Sequence, residues 1–514
     1  MHVDDKIAKE DKPVRLYSAA QVRTGERQIA QRLGLEMYTL MERAGAAVFD
    51  CLARHYPSSR NVLVCCGGGN NGGDGYVVAR LARQAGYTVS VWHCGDPARL
   101  VGDAARAYQA WLAVGGVVSL PSEGLPASVE VVVDALLGTG LAGAVRAEAA
   151  ALIGQINDSA RPVIAVDVPS GLCADTGRGL VSAEPSVPDP NVTEPAVVAA
   201  YTVTFIGRKQ GLFTGHAADH VGQLVFAGLE VAAAFDQHCT SSVQVITAAE
   251  VDRNLPIRRR TAHKGDHGRI LLAGGDHGYA GAIRLAAQAA ARTGAGLTAV
   301  LTQSDNALAM IAAIPEIMAL GWQGDRAQCA QRVVWADVLV LGPGLGLSEW
   351  SQALYHALAA TEKPTVLDAD GLNLLACTPD YKNNRIITPH PGEAARLLQC
   401  SVADVERDRF VAARTLQQQY GGVVVLKGVG TLVDDGQKCW VCTAGNPGMA
   451  TGGMGDVLSG IIGALLGQGL GLSEAAKCGV WIHSTAADHC ARDGERGMLA
   501  SDLFPSIRQL VNRR

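Results

Sequence analysis

Residues 61–86 read NVLVCCGGGNNGGDGYVVARLARQAG. The apolar run at 61–66 has the make-up of a buried strand, and residues 75–85 carry apolar side chains at helical spacing. Between them lies a loop with five glycines. A strand that enters a helix through such a loop is the first half of a βαβ unit, in which successive strands run parallel. The loop is neither GxGxxG nor a P-loop. Its glycines still let backbone N–H groups approach an anion at the helix N-terminus. The plainer reading is a tight turn capped by Asp74.

The same alternation runs outward in both directions. A helical segment at 37–52 precedes the loop, and 98–114 has the same period. Apolar strand-like runs follow at 88–92, 129–136, 162–168, 201–206 and 223–227. The pattern lapses over 232–243 and then resumes. A second block has strands within 268–275, 296–301, 336–344, 364–370, 385–393, 421–428 and 430–435. Its helices fit 280–293, 348–360, 401–420, 455–466 and 473–493. The fold class is therefore α/β, with two domains, 1–240 and 241–514. The first is expected to be a Rossmann-like three-layer αβα domain, and the second another αβα domain. The segment 182–196, with four prolines, reads as a surface excursion.

Composition narrows the function. Apolar residues make up 48% and charged residues 18%, which supports packed cores rather than disorder. The net charge of −5 and the lack of a basic domain argue against nucleic acid as a partner. Arg258, Arg259 and Arg260 read as a solvated run. The charged N-terminus has no apolar h-region, so no secretory signal is expected. The apolar stretch 457–472 is broken by five glycines and is too short for a membrane span. The cytoplasm is the expected compartment. Thirteen scattered cysteines fit reduced core thiols. Cys439 and Cys442 have CxxC spacing, but they lie in a strand-like segment with no second pair.

In the first block, two more strands end in aspartate: VVVDALLGTGLAGA (131–144) and IAVDVPSG (164–171). Ligands of open parallel sheets sit beyond the C-terminal strand ends. Asn71, Asp134, Asp167 and Ser170 are expected to converge there, with 138–144 as a second loop able to hug a phosphate. Each aspartate alone could equally be a helix cap. Such hard oxygen ligands suit an alkali or alkaline-earth cation rather than zinc.

NNGGDG, DALLGTG, DVPSG and TVTFIGRKQG together resemble the NAD(P)H-hydrate epimerase family over roughly 16–231. That family interconverts the C6 epimers of hydrated NADH and NADPH. The resemblance implies that Asn70, Asn71, Gly72, Gly73, Asp74, Gly138, Thr139, Gly140, Leu141, Ala142, Gly143, Ala144 and Asp167 bind the hydrate. It also implies a potassium ion held by Asn71, Asp134 and Ser170. Epimerisation at a hemiaminal carbon needs a hydroxyl to leave and return on the other face, with Asp167 as a proton shuttle. Lys209 reads either as an electrostatic helper or as a solvated loop lysine.

The second block holds GNPGMATGGMGDVLSGIIGALLG (445–467). Gly452, Gly453 and Gly455 precede Asp456 at the start of an apolar helix. The amides of 453–456 would form an anion hole, with Asp456 as general base, as phosphoryl transfer to a hydroxyl requires. The alternative is an N-capping aspartate. This stretch resembles the ribokinase-like superfamily. With HKGDHGRILLAGG (263–275), GPGLG (342–346), TPHPGEAARL (388–397) and KGVGT (427–431), the likeness narrows to the ADP-dependent NAD(P)H-hydrate dehydratases, over roughly 247–510.

The domain order matches the bifunctional NAD(P)H-hydrate repair family. The resemblance implies that Asp456 deprotonates the C6 hydroxyl of the S hydrate, which attacks ADP. Phosphate then leaves, giving NADH or NADPH and AMP. Magnesium would bridge the phosphates. Ala282, Gly346, His390 and Asp456 are placed around the hydrate, and Lys427, Gly428, Val429, Gly430, Thr431 and Gly455 around the nucleotide. His390, between two prolines, reads equally as a structural turn residue, and Gly346 as an ordinary turn glycine. Lys427 at a strand end fits a phosphate or an adenine site. Met454 stands where relatives often have a small polar residue, a change that spares the backbone amide. A homo-oligomer is also implied. The anion hole alone leaves a vitamin or sugar kinase open. A non-catalytic scaffold and an NAD-dependent dehydrogenase are disfavoured by the intact loop and by the missing GxGxxG.

Overall fold

The computed structural model describes residues 13–140, 143–180 and 196–513. The proline-rich segment and the loop residues Leu141 and Ala142 thus lie outside the described residues, apart from Ala196. The chain divides into two compact units, whose boundary falls between Val243 and Gln244.

The first unit opens with helices α1 (Ala19–Leu33) and α2 (Met37–His55). Then follow β1 (Asn61–Cys66), α3 (Asn70–Gln84), β2 (Thr88–His93), α4 (Gly102–Ala113), β3 (Val118–Ser119), β4 (Val131–Ala135), α5 (Ala147–Asp158), β5 (Val163–Val166), β6 (Tyr201–Phe205), β7 (Gln223–Ala227) and α6 (Ala232–His238). The seven strands form one sheet in the order β3-β2-β1-β4-β5-β6-β7, with every pairing parallel.

Period-two alternation builds three layers from these strands. Val62, Val64, Cys66, Val131 and Val133 pack with α2, α3 and α4 residues such as Val48, Val77 and Trp111. Their neighbours Leu63, Cys65 and Val132 pack on the other face with Leu152, Ile153 and Ile156 of α5. The order reverses direction at β1/β4, so the loops after these two strands splay apart and leave a crevice.

In the second unit the sheet run is built from β8 (Arg269–Ala273), β9 (Leu297–Thr302), β10 (Met318–Gly321), β11 (Val338–Leu341), β12 (Thr365–Leu367), β13 (Arg385–Ile387), β14 (Val423–Leu426), β15 (Thr431–Asp434) and β16 (Cys439–Cys442). The order is β16-β15-β14-β13-β12-β11-β8-β9-β10. Pairings are parallel from β10 to β14 and antiparallel between β14, β15 and β16. Its helices include α7 (Ala280–Thr293), α8 (Asp370–Cys377), α9 (Pro391–Leu398), α10 (Arg409–Tyr420), α11 (Met454–Gly467) and α12 (Leu472–Cys490). Strand residues Ile270, Leu272, Val340 and Val366 share one core with Ile283, Ile461, Leu465 and Ile482 from α7, α11 and α12.

Several elements differ from the sequence reading. Helix α3 begins at Asn70, not at 75, so Asn70–Asp74 form its first turns rather than a loop. Its N-cap is Gly69, and Asp74 caps nothing. The span 401–420 is two helices, Val402–Arg407 and α10, because Asp408 turns extended and caps the second through the Val411 N–H. Residues 391–398 are a helix, so His390 sits at a helix start rather than in a plain turn. Residues 232–243, where the periodicity lapses, still hold α6, whose Phe235 is fully buried against Tyr17. Cys439 and Cys442 are buried on β16, and burial pushes the Cys442 thiol up to about 11. They are core thiols, as expected.

Candidate active sites

A cavity of about 760 Å³ opens beyond the strand ends of the first unit. Close backbone approaches build its floor. A Cβ on Gly67 would lie 1.9 Å from the Leu136 carbonyl oxygen, and one on Gly72 would lie 1.9 Å from the Gly67 carbonyl oxygen. Only glycine allows the loop after β1 to press against the loop after β4. Asn70, Asn71, Asp74, Gly138, Thr139, Gly140, Ala144 and Asp167 line the cavity. Gly72 and Gly73 do not line it; they are packing positions, with Gly73 tight against Met41. Gly143, in the left-handed region at φ 89°, does not line it either.

Asp134 and Ser170 lie beneath this wall, both fully buried. The Ser170 Oγ donates to Asp134 Oδ1 at 2.6 Å, and the Ser170 N–H donates to Oδ2 at 2.8 Å. The Leu137 N–H donates to Ser170 Oγ at 2.8 Å, and Asn71 Nδ2 donates to the Leu137 carbonyl at 3.2 Å. Asn71, Asp134 and Ser170 thus gather around one residue, Leu137. No basic side chain pairs with Asp134 among the described residues, and burial lifts its carboxyl to about 6. A buried carboxyl without counter-charge, ringed by a hydroxyl, an amide and a carbonyl, fits a monovalent cation held by oxygen.

Asp167 follows β5 with φ 65°, a strained left-handed conformation for a residue with a side chain. Its Oδ1 accepts from Lys209 Nζ, from Thr204 Oγ1 at 3.2 Å and from the Phe205 N–H at 3.3 Å. Lys209 is 1% exposed, lines the cavity and pairs with Asp167, so it is not a solvated loop lysine. Its other two protons go to Thr204 Oγ1 and to the Phe205 carbonyl at 3.0 Å. Three further carboxyls, those of Glu26, Asp74 and Glu148, line the cavity. Burial raises Asp74 well above the carboxylate range and brings Glu26 up to about 7. Glu26, Arg23 and Arg27 of α1 and Arg146 and Glu148 at the start of α5 also line it. The sequence reading missed them together with α1 and α5; the one available signal was a glutamate inside the apolar stripe of residues 22–30.

In the second unit, α11 starts at Gly453, which has φ 91° and offers no side-chain cap. The first-turn N–H groups of the helix are therefore free for an anion. Asp456 lies in this first turn, so it is not the capping residue. Burial, then the charges of Asp368, Asp370 and Glu393, lift its carboxyl to about 7 against the opposing pull of Lys427. The β12, β14 and α11 ends meet at Gly455, where a Cβ would lie 3.2 Å from Lys427 Nζ and 3.5 Å from Asp368 Oδ2.

Lys427 Nζ donates to Asp368 Oδ1 at 2.7 Å, and Glu393 lies 3.7 Å away. Ser459 Oγ donates to Asp368 Oδ2 at 2.6 Å. The positive charge of Lys427 is therefore matched within the protein, at the end of the strand it follows. The turn that follows is ordered from below. The buried Arg409 donates to the Lys427 carbonyl at 3.1 Å, and a Cβ on Gly428 would lie 2.8 Å from its guanidinium. Thr431 Oγ1 donates to the Gly428 carbonyl at 2.9 Å, while Val429 is exposed and Gly430 has φ 63°.

His390 serves as N-cap of α9, with Nδ1 accepting from the Gly392 N–H at 3.0 Å. The Glu393 carboxylate completes the box by accepting from the His390 N–H at 2.8 Å. The ring stays exposed, with Nε2 3.6 Å from Glu393 Oε1. The Gly346 N–H donates to Asp370 Oδ2 at 2.8 Å, and a Cβ on Gly346 would lie 3.0 Å from Asp276 Oδ2. Ala282 is reached from the same loop, since a Cβ on Gly344 would touch its methyl at 3.0 Å. Asp370, missed by the sequence reading, joins this group to Asp456. Met454 is buried in the core shared by α11 and α12, which leaves its backbone to the helix start. No group of three or more His, Cys, Asp or Glu poised for a metal occurs among the described residues.

A parallel-sheet crevice with an oxygen-ringed carboxyl, and a second sheet with an uncapped helix beside a base, define a two-site enzyme of the α/β class. Solved structures agree for the second unit. A ribokinase-like superfamily protein from Enterococcus faecalis superposes with a TM-score of 0.50 at 28% identity, covering 53% of this chain and 96% of its own. The family model described as NAD(P)H-hydrate dehydratase matches residues 270–509, and that described as YjeF-related protein N-terminus matches 37–211. The bifunctional NAD(P)H-hydrate repair enzyme of Vibrio cholerae is 50% identical over 501 residues, covering 97% of this chain and 99% of its own. Its Escherichia coli counterpart is 48% identical over 503 residues, covering 97% and 94%. This chain belongs to the family of bifunctional NAD(P)H-hydrate repair enzymes.

Proposed function

We propose that the first unit interconverts the R and S hydrates of NADH and NADPH at C6, and that the second dehydrates the S form with ADP, yielding NAD(P)H, AMP and phosphate. The observation that carries this reading is Asp456, a carboxyl held at about 7 in the first turn of a helix whose N-terminus has no side-chain cap. A base with that pKa accepts a hydroxyl proton near neutrality. The adjacent N–H groups stabilise the charge that develops on the transferring phosphoryl group. The hydrate oxygen attacks the terminal phosphorus of ADP as its proton passes to Asp456. Loss of the resulting phosphate, pushed by the ring nitrogen, leaves a C6=N iminium ion, and departure of a C5 proton then forms the C5=C6 double bond.

Supporting parts follow from the contacts. Lys427 sets the field at Asp456 and orients Asp368, while Arg409 steadies the 427–431 turn beside the nucleotide. The Nδ1 of His390 accepts from the Gly392 N–H, which turns the exposed Nε2 edge of the ring toward the hydrate. Gly346, Ala282 and Asp370 form the rest of the hydrate wall. Magnesium supplies charge neutralisation on the ADP phosphates when bound. A magnesium ion carried largely by phosphates and water needs only one or two carboxylates, which Asp370 and its neighbours can provide.

In the first unit, Asp167 handles the proton of the departing hydroxyl. Asn71, Asp134 and Ser170 would hold potassium, whose charge would draw substrate oxygen to the wall formed by Gly138, Thr139, Gly140 and Ala144. We place the reactions in the cytoplasm in a homo-oligomer; no helix among the described residues is long and apolar enough to cross a membrane.

The test is a mixture of R and S NADH hydrate supplied with magnesium, potassium and ADP. Complete conversion to NADH, with one AMP and one phosphate each, is the expected result. A stable phosphorylated product in place of free phosphate would return the second unit to the kinases.

A further inference from the structure

Helix α1 packs through Val22, Ile29 and Ala30, which are buried at helical spacing. Glu26 falls between them, four residues after Val22 and three before Ile29, on a face where a side chain is expected to be apolar. The helix cannot rotate to release it. Gly25 lies under the Phe235 ring, where even a Cβ would come within 2.4 Å. A half-buried carboxylate normally finds a cation or donors. Among the described residues none hydrogen-bonds or ion-pairs with Glu26. Its carboxyl lines the same cavity as Asp167.

Epimerisation sets a requirement that Asp167 alone does not meet. The C6–O bond breaks with its electron pair on oxygen, and an acid must protonate that oxygen so that water leaves. The nitrogen lone pair meanwhile forms the C6=N bond. Water then bonds C6 from the opposite face, the nitrogen recovers its pair, and a base must take the proton released. The two proton transfers occur on opposite faces of one ring. The Asp167 carboxylate is pinned on Oδ1 by Lys209, Thr204 and Phe205, so it serves one face through Oδ2. Lys209 has spent all three protons.

We propose that Glu26 is the second acid–base residue of the epimerisation, exchanging a proton with the hydrate oxygen on the face opposite to Asp167. One carboxyl gives a proton while the other receives one, and the roles swap for the reverse epimer. This rests on reading the first unit as the epimerase. The charged groups facing Glu26 are Lys209, Asp167 and Asp74 from other elements and Arg23 and Arg27 from its own helix. Desolvation outweighs the cations, so its carboxyl sits near neutrality, where it both gives and takes a proton. Burial raises the Asp74 carboxyl as well, with Asp167 and Glu26 adding to the rise and Lys209 opposing it.

The test uses the full chain and R hydrate freed of S, in the presence of potassium, with spontaneous epimerisation subtracted. Glu26→Gln keeps size and shape. It is expected to lower the epimerisation kcat by roughly a hundredfold with KM nearly unchanged, and to erase the limb of the pH profile near 7. Dehydration of pure S hydrate stays at the wild-type rate. Glu26→Ala is expected to regain activity with added formate, which a merely structural glutamate would not allow. Epimerisation by Glu26→Gln within twofold of wild type, or loss with an unchanged pH limb and no formate rescue, overturns the proposal. Wild-type chain no faster than the spontaneous rate would instead overturn the reading of the first unit.

Discussion

Asp456 owes its chemistry to its neighbours. Burial and three carboxylates push its proton affinity up, and Lys427 holds it from rising further. Since the ionised form is the base, dehydration should follow the ionised fraction, flat above about pH 7 and falling below it. A pH series with pure S hydrate measures this. Asp456→Asn should cost on the order of 10²–10⁴ in kcat while leaving epimerisation intact. Lys427 also carries stability. Its charge holds the buried Asp368 below the ordinary carboxylate range. That contribution is complete at neutral pH and is lost as pH falls through the depressed pKa of Asp368. Lys427→Met should therefore destabilise the second unit by about 3–5 kcal/mol at pH 7. Urea melts should show the gap from wild type closing in acid. Asp456, Asp167 and Asn71 were legible in the sequence because glycine-rich strand ends announce them. Asp368, Asp370 and the buried state of Lys209 were not, since each depends on contacts far apart in the chain.

At the scale of elements, α11 shows how small residues set the position of a reactive helix end. Gly460 meets α7 so closely that a Cβ would lie 2.0 Å from the Ala286 carbonyl oxygen, and a Cβ on Gly463 would lie 2.4 Å from Val340. Alanine at 460 would improve helix propensity by up to ~1 kcal/mol. It would also force the two backbones apart, an overpacking cost of typically ~1–3 kcal/mol, more where backbone itself must move. The second effect wins. Gly460→Ala should lower the urea midpoint of the second unit and slow dehydration, because α11 carries Asp456 at its start. The period of α11, α7 and the β1–α3 unit was plain in the sequence. Boundaries failed where polar residues form a first turn, as at Asn70–Asp74, and where an internal aspartate caps a new helix, as at Asp408. Strand β10 escaped notice because four residues ending in glycine carry little alternation.

The whole molecule joins two reactions whose groups do not overlap. Asp167, Lys209, Glu26 and the Asp134–Ser170 pair all fall within residues 15–243, and Asp456, Lys427, Asp368 and Asp370 all fall within 244–514. If each site is complete in its own unit, the reactions are linked only through free hydrate. A chain with Asp167→Asn should then stop NADH production at the fraction of S hydrate supplied, beyond which only spontaneous epimerisation proceeds. A chain with Asp456→Asn should equilibrate the epimers and make almost no NADH. Mixed together, the two altered chains should convert the whole pool, since each supplies what the other lacks. Fusion raises the local concentration of the intermediate, but a small metabolite that escapes freely gains little from it. The mixed chains should therefore approach the wild-type rate at equal numbers of working sites. A mixture that stalls at the S fraction would mean that hydrate passes between the sites of one chain without release.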